Sequence, residues 1–297
     1  MRRKIALILS TTMILTSVLT GCTKDSGDGK SSSSKGGKYK TAKELVEAYV
    51  ESDQDNMKMN MDLDLNVVMS SEGTEFEIPV TLDGDIDVAG EAYHGNMNMT
   101  MEMMGQSQKM SYEMYSAKDG DETIVYTYDE NSDKWSKTSN EAVAVDASAI
   151  DKMLESDALN KADLSFKNNE YTVKVSIGDI MESANVEDKI SEYSDSLSSM
   201  GLDEDMVKEI IDALSDSNMV YVFDEDLNLT KISIKDMKYE TTIDQDGYTM
   251  DLSMELKLTI KCSDFGKVSE DDVKVPDEVV KEAVEADMND LLEENMY

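Results

Sequence analysis

From residue 57 to residue 69 apolar and polar positions alternate without a break. Met57, Met59, Met61, Leu63, Leu65, Val67 and Met69 share one parity, and Lys58, Asn60, Asp62, Asp64 and Asn66 the other. Successive side chains of a strand point to opposite faces, so this period of two predicts one unusually long strand with one dry face. The pattern recurs at Phe76, Ile78, Val80, Leu82, Ile86 and Val88, and again at Met97, Met99, Met101 and Met103, with a change of phase near His94-Gly95-Asn96 that predicts a turn or bulge there. Met110, Tyr112 and Met114, then 124–128, then Trp135 beyond the turn-rich 129–134, continue the series. The first half therefore reads as a meander of antiparallel strands with one apolar and one acidic face, and such a sheet must cover its dry side.

Helical spacing frames and interrupts this meander. Residues 39–52 place Leu45, Val46, Tyr49 and Val50 on one side behind a Thr41-x-x-Glu44 capping pattern. Residues 143–159, 179–200 and 203–214 also read as helices, the last with Met206, Val207, Ile210, Ile211 and Leu214 as its apolar side, and these are the expected cover. Strands return at 164–166, 171–177, 219–223, 227–237 and 248–261. In the last, Met250, Leu252, Met254, Leu256, Leu258 and Ile260 alternate with polar residues after an Asp246-Gly247 turn. Val275-Pro276 leads into a final acidic helix expected over 277–294.

The amino terminus changes the picture from a free domain to an exported one. Arg2, Arg3 and Lys4 precede an apolar run from Ile5 to Leu19, and Leu19-Thr20-Gly21-Cys22 has the form of a lipobox. The run is shorter than the roughly 20 apolar residues of a membrane span. Residues 1–21 are expected to be a signal peptide, and Cys22 to carry a diacylglyceryl group whose two acyl chains anchor the protein stably to the extracytoplasmic face of the cell membrane. Residues 22–38, almost wholly Ser, Gly, Lys and Asp after Cys22, form a flexible tether. With Cys22 lipidated, Cys262 is the one remaining cysteine, so stability rests on packing rather than a disulfide.

Sixty-four acidic residues against 28 basic ones give a net charge of −36. A surface this negative is repelled by nucleic acid and by anionic headgroups, and nucleic-acid binding is excluded. Solubility in an exposed compartment is the ordinary consequence of such charge.

The leading amphipathic helix, the long alternating strands, Trp135 closing a polar hairpin, the helical insert, and Phe265-Gly266 followed by Val275-Pro276 together resemble the LolA/LppX-like lipoproteins over roughly 39–279. The resemblance implies an α+β fold: a long, strongly curved antiparallel sheet, a half-open β-barrel, with helices covering the concave face. It also implies a lipid-like ligand held inside a domain of residues 39–279, with 280–297 as an acidic helix or tail. The side chains then expected to line the interior are Met57, Met59, Met61, Leu63, Leu65, Phe76, Ile78, Val80, Met97, Met99, Met101, Met103, Met110, Tyr112, Met250, Leu252 and Met254. The chain departs from these relatives in its permanent tether, its acidity and its methionine content, so the resemblance speaks for binding more than for carriage between membranes.

Twenty-three methionines are the compositional oddity. Rows of thioethers suit Cu(I). They also make a deformable apolar core, or a lining that adapts to flexible chains. Each row continues into Leu, Val or Ile, and His94 and Cys262 are the sole supporting soft ligands, so copper is a remote alternative and no metal or cofactor is expected. Asp129-x-Asn131-x-Asp133 begins like a calcium loop, but Lys134 stands where glycine is needed and Asn140 where a closing glutamate belongs, which leaves a hairpin turn. His94 reads as a surface or turn histidine and Cys262 as an inert thiol. The chain has no nucleophile elbow, zinc-binding helix or phosphate loop. The expectation is a non-enzymatic binding module for an acyl-chain or lipid-like ligand. The alternative is a cell-surface structural or interaction module with a solid core, whose protein partner the sequence does not name.

Overall fold

The computed structural model describes residues 37–52, 56–71, 74–90, 92–103, 105–119, 122–130, 133–139, 157–183, 215–245 and 248–285. Cys22, the tether up to residue 36, most of the expected helices at 143–159 and 179–214, and the tail beyond 285 lie outside the described residues.

Among the described residues twelve strands form one curved sheet that does not close on itself. They are β1 (Met57–Ser71), β2 (Thr74–Ala89), β3 (Ala92–Met103), β4 (Gln106–Asp119), β5 (Glu122–Asp129), β6 (Lys134–Ser139), β7 (Asp163–Lys167), β8 (Glu170–Ser176), β9 (Asn218–Phe223), β10 (Leu229–Gln245), β11 (Tyr248–Ser263) and β12 (Val284–Glu285). The helices among the described residues are α1 (Ala42–Val50), α2 (Ala158–Lys161), α3 (Ile177–Ser183) and α4 (Asp277–Glu282). The spatial order is β12-β6-β5-β4-β3-β2-β1-β11-β10-β9-β8-β7. Apart from β12, which joins β6 in parallel, every neighbouring pair is antiparallel.

Tight hairpins produce this meander. Ala89 pairs with Ala92 around a two-residue connection in which Gly90 takes φ +58, a left-handed conformation that glycine adopts without steric cost. The phase change expected near His94 therefore falls at residues 90–91, and β3 runs in unbroken register through His94 and Gly95. Pro79 sits inside β2, where it would break a central ladder. The β3 pairing of β2 begins only at Val80, so the proline lies on a stretch bonded on one side. The strand expected to end at 237 instead continues to Gln245 as β10, with a register shift between Ile234 and Met237.

Register assigns the two faces. The odd positions of β1, the even positions of β2 and β11 and the odd positions of β3 share what we call the inner face, and α1 packs there. Thr41 caps α1 by accepting from the Glu44 amide at 3.1 Å, while Glu44 Oε2 accepts from the Lys40 amide at 2.8 Å. Leu45 and Val46 are fully buried and, with Ala42 and Tyr49, join Leu63, Leu65, Val67, Ile78, Val80, Met101, Leu256 and the inner residues of β8–β10 in the main core. The Tyr49 ring meets Phe223 edge-on at 5.3 Å.

The outer face is acidic. Asp62 and Asp83 stand directly opposite each other, an unfavourable pairing of like charges. Asn98 donates to Asp83 at 3.2 Å, Asn60 to Asp85 at 3.1 Å, and Lys58 bridges to Asp87 at 3.2 Å. Around the lower rim the chain after β11 crosses to this face. Asn56 accepts from the Gly266 amide through its backbone oxygen at 2.7 Å. Its side chain donates to the Val268 carbonyl at 3.0 Å and accepts from the Gly90 amide at 3.1 Å. Val268 and Val273 then pack on Ala89, and α4 lays Val279, with Val275 before it, against Tyr115 and Tyr126. The expected helix over 277–294 thus ends at Glu282, because Ala283 turns extended and Val284 pairs with Ser136 of β6.

Candidate functional site

The seventeen side chains expected to line an interior all fall in strands of this sheet, but they do not gather in one place. Leu63, Leu65, Ile78, Val80, Met101 and Met254 are buried in the main core. Phe76 and Leu252 lie at the opposite end of the strands, where Phe76 is 36% exposed. From Phe76 to Gly84 is eight residues of strand, about 27 Å at a rise of about 3.4 Å per residue. Met103 and Met250 occupy strand positions opposite Gln106 and Ile243. The remaining seven, Met57, Met59, Met61, Met97, Met99, Met110 and Tyr112, concentrate at one end of β1–β4.

Three successive rungs define that end. Cys262, Met59, Ile86, Gly95 and Met114 stand side by side across five strands. Next come Ile260, Met61, Gly84, Met97 and Tyr112, and then Leu258, Leu63, Leu82, Met99 and Met110. Ile86, Tyr93 and Met97 are buried, with Met59, Met61, Leu82, Val88, Tyr112 and Met114 half-buried against them. Met99 and Met110 are also half-buried. No charged residue occupies an inner-face position of these rungs.

Two glycines shape the surface. A Cβ on Gly84 would stand 2.3 Å from Met97 Sδ and 2.7 Å from the Asn96 carbonyl oxygen, so the Met97 thioether occupies the notch that glycine leaves between Met61 and Met97. Gly95 lies beside Ile86, whose Cγ1 a Cβ there would meet at 3.2 Å. Glycine within an alternating strand marks a bend or a close approach. Met114, Leu82 and Ile86 had the right parity for the lining, and only the cross-strand register brings them to it.

Polar groups here are few. The Tyr112 hydroxyl donates to Met110 Sδ at 3.4 Å. Burial pushes Tyr93 up to about 12 and the Cys262 thiol up to about 12, so Cys262 is protonated and a poor nucleophile or metal ligand. His94 is on the outer face, within a strand rather than at a turn. It stacks on Tyr115 with ring centroids 4.2 Å apart, and its Nε2 is 3.0 Å from Glu113 Oε1. Tyr115 also donates to Glu113 at 3.0 Å, and burial together with that carboxylate raises it to about 12. His94 and the methionine rows therefore lie on opposite sides of the sheet. Among the described residues no group of three or more His, Cys, Asp or Glu side chains stands ready to hold a metal. Asp129 pairs with Lys134 across β5 and β6, as the expected hairpin requires, and Tyr128 donates to Asp133 at 2.6 Å.

A separate cavity of about 150 Å³ lies between α1 and α2, lined by Thr41, Glu44, Glu47, Leu159 and Asn160. Its lining is mixed in polarity and includes no methionine.

A family model described as a family of unknown function, DUF6612, matches residues 41–284. No curated protein matches the chain. Solved structures that match include a DUF1329 family protein from Desulfovibrio piger, 10% identical, covering 78% of this chain and 95% of that one with a TM-score of 0.24. Another is MucB in complex with MucA(peri), 8% identical, covering 78% and 96% with a TM-score of 0.10. Scores this low carry no functional argument, so the geometry of the chain has to supply it.

Proposed function

Because the chain belongs to the DUF6612 family, whose description names no function, we propose from its own residues that it is a non-enzymatic binding module, anchored through Cys22 to the extracytoplasmic face of the membrane, that takes an acyl-like apolar ligand on the methionine end of its inner face. The observation that carries this reading is the division of the inner face. Under α1 Leu63, Leu65, Val67, Ile78 and Val80 are buried, whereas Met59, Met61, Met99, Met110 and Met114 are only half-buried on a surface free of charge, Met61 and Met99 at the edge of that core. Unbranched, polarizable thioethers adapt to a flexible chain better than β-branched residues do, and ligand sites are mostly apolar with few polar groups. α1 packs on part of this face, and the helical spacing of 143–159 and 179–214 in the sequence supports further helical cover. No catalytic group, metal or cofactor enters the reading.

A photoreactive fatty acid tests it. Crosslinks are expected on peptides carrying Met59, Met61, Met99, Met110 and Met114, and their loss in a Met61→Asp, Met99→Asp protein that keeps its sheet signal. Labelling spread over the whole chain, or unchanged in that variant, would favour the alternative of a solid-cored interaction module. Anchoring has its own test: growth with a labelled fatty acid should mark the protein and fail to mark a Cys22→Ala variant, and label that persists in the variant, or is absent from both, would refute lipidation at Cys22.

A further inference from the structure

We propose that the half-buried thioethers of this end are an oxidation site for hydroperoxides, and that converting them to sulfoxides abolishes uptake of apolar ligand; the second half of this inference rests on the binding reading above. In the reaction a methionine sulfur attacks one oxygen of hydrogen peroxide. The S–O bond forms as the O–O bond breaks, sulfur is oxidised by two electrons, and the other oxygen leaves as water. The product replaces a flexible apolar group by a polar one.

Exposure selects the targets. Met59, Met61, Met99, Met110 and Met114 are half-buried on adjacent rungs, whereas Met101, Met219, Met237 and Met254 are buried. Cys262 stands beside Met59 in the same rung, but its thiol is buried and protonated, and the thiolate is the reactive form. The thioethers therefore react in its place.

The surface has little capacity to absorb the new oxygens. A sulfoxide oxygen is a strong acceptor, and a buried acceptor without a donor is costly. Hydroxyls among the described inner-face positions at this end of β1–β4 are confined to Tyr93, Tyr112 and Ser116. Space is equally limited, since Met97 Sδ already fills the notch at Gly84. Oxidation of Met61, which faces that notch, must turn the side chain outward and leave the face wet.

Peroxide treatment of the full chain, with peptide mass mapping against time and Nile red as the apolar probe, tests the proposal. The five half-buried methionines of the three rungs, and with them the half-buried Met57 and Met69, are expected to gain one oxygen each before Met101, Met219, Met237 and Met254. Nile red should then bind at least about tenfold more weakly while the far-ultraviolet sheet signal persists. A variant with those five residues changed to Leu, a volume-conserving swap, should bind the dye and keep binding it after peroxide. The proposal is overturned if the buried methionines oxidise as fast, or if the five are oxidised and binding is unchanged. If neither untreated protein binds Nile red, the binding reading fails and the switch fails with it, whatever the order of oxidation.

Discussion

Gly84 controls how closely β2 and β3 approach at the rung where Met61 and Met97 face each other. An alanine there would place Cβ against a flexible sulfur at 2.3 Å and against the Asn96 carbonyl oxygen at 2.7 Å. The sulfur can move and the backbone oxygen cannot without disturbing the ladder. Gly84→Ala is therefore expected to destabilise the protein by about 1–3 kcal/mol in urea unfolding, and a Met97→Ala background should not rescue it. Rescue would show that the sulfur, not the backbone, sets the limit. In the sequence this glycine stands in Asp83-Gly-Asp85, where it reads as part of an acidic cluster. Its actual neighbour is 13 positions away in β3 and is set by hairpin register, which alternation alone does not fix. His94 was similarly illegible as a stacked partner, because Tyr115 belongs to the next strand.

At the scale of elements, the long strands and α1 were readable because each carries its own periodicity, and the Thr41 cap is local chemistry. The route of the carboxyl-terminal segment was not, since it depends on contacts with residues some 200 positions earlier. Asn56 holds that segment by two hydrogen bonds, to Gly266 and Val268, and ties it to the β2–β3 turn by a third, from Gly90. Asn56→Ala removes the two made by its side chain. A loss of about 1–3 kcal/mol, with faster amide exchange across 264–285 than across β1, is the expected outcome. Equal protection of both regions would mean that the strap is held by Val268, Val273 and Val279 alone. Asp272, which accepts from the Ser269 amide at 2.8 Å and hydroxyl at 2.7 Å, is held below the usual carboxylate range by those bonds. Whatever it adds to the turn is present above the ordinary aspartate pKa and lost as pH falls through the lowered folded value.

Across the whole molecule, one face carries charge and the other carries rows of apolar side chains, and this division was plain from the sequence. What the sequence did not divide was the apolar face itself, into a buried core on which α1 packs and a half-buried methionine end. Tyr93 and Tyr115 give a global handle on this packing. Both are raised to about 12, first by burial, so the folded state holds protons that the unfolded state releases near pH 10. Stability should accordingly fall as pH rises from about 10 towards 12. Tyrosinate absorbance should lag behind that of the urea-unfolded chain, and coincident titrations would contradict the burial of these rings.

Whether the methionine end holds an apolar molecule is decided by native mass spectrometry of the protein expressed without residues 1–22 and purified without detergent. A mass in excess of the polypeptide is expected, removed by organic extraction and absent from the Met61→Asp, Met99→Asp protein. A bare polypeptide mass in both, even after incubation with fatty acid, would contradict it.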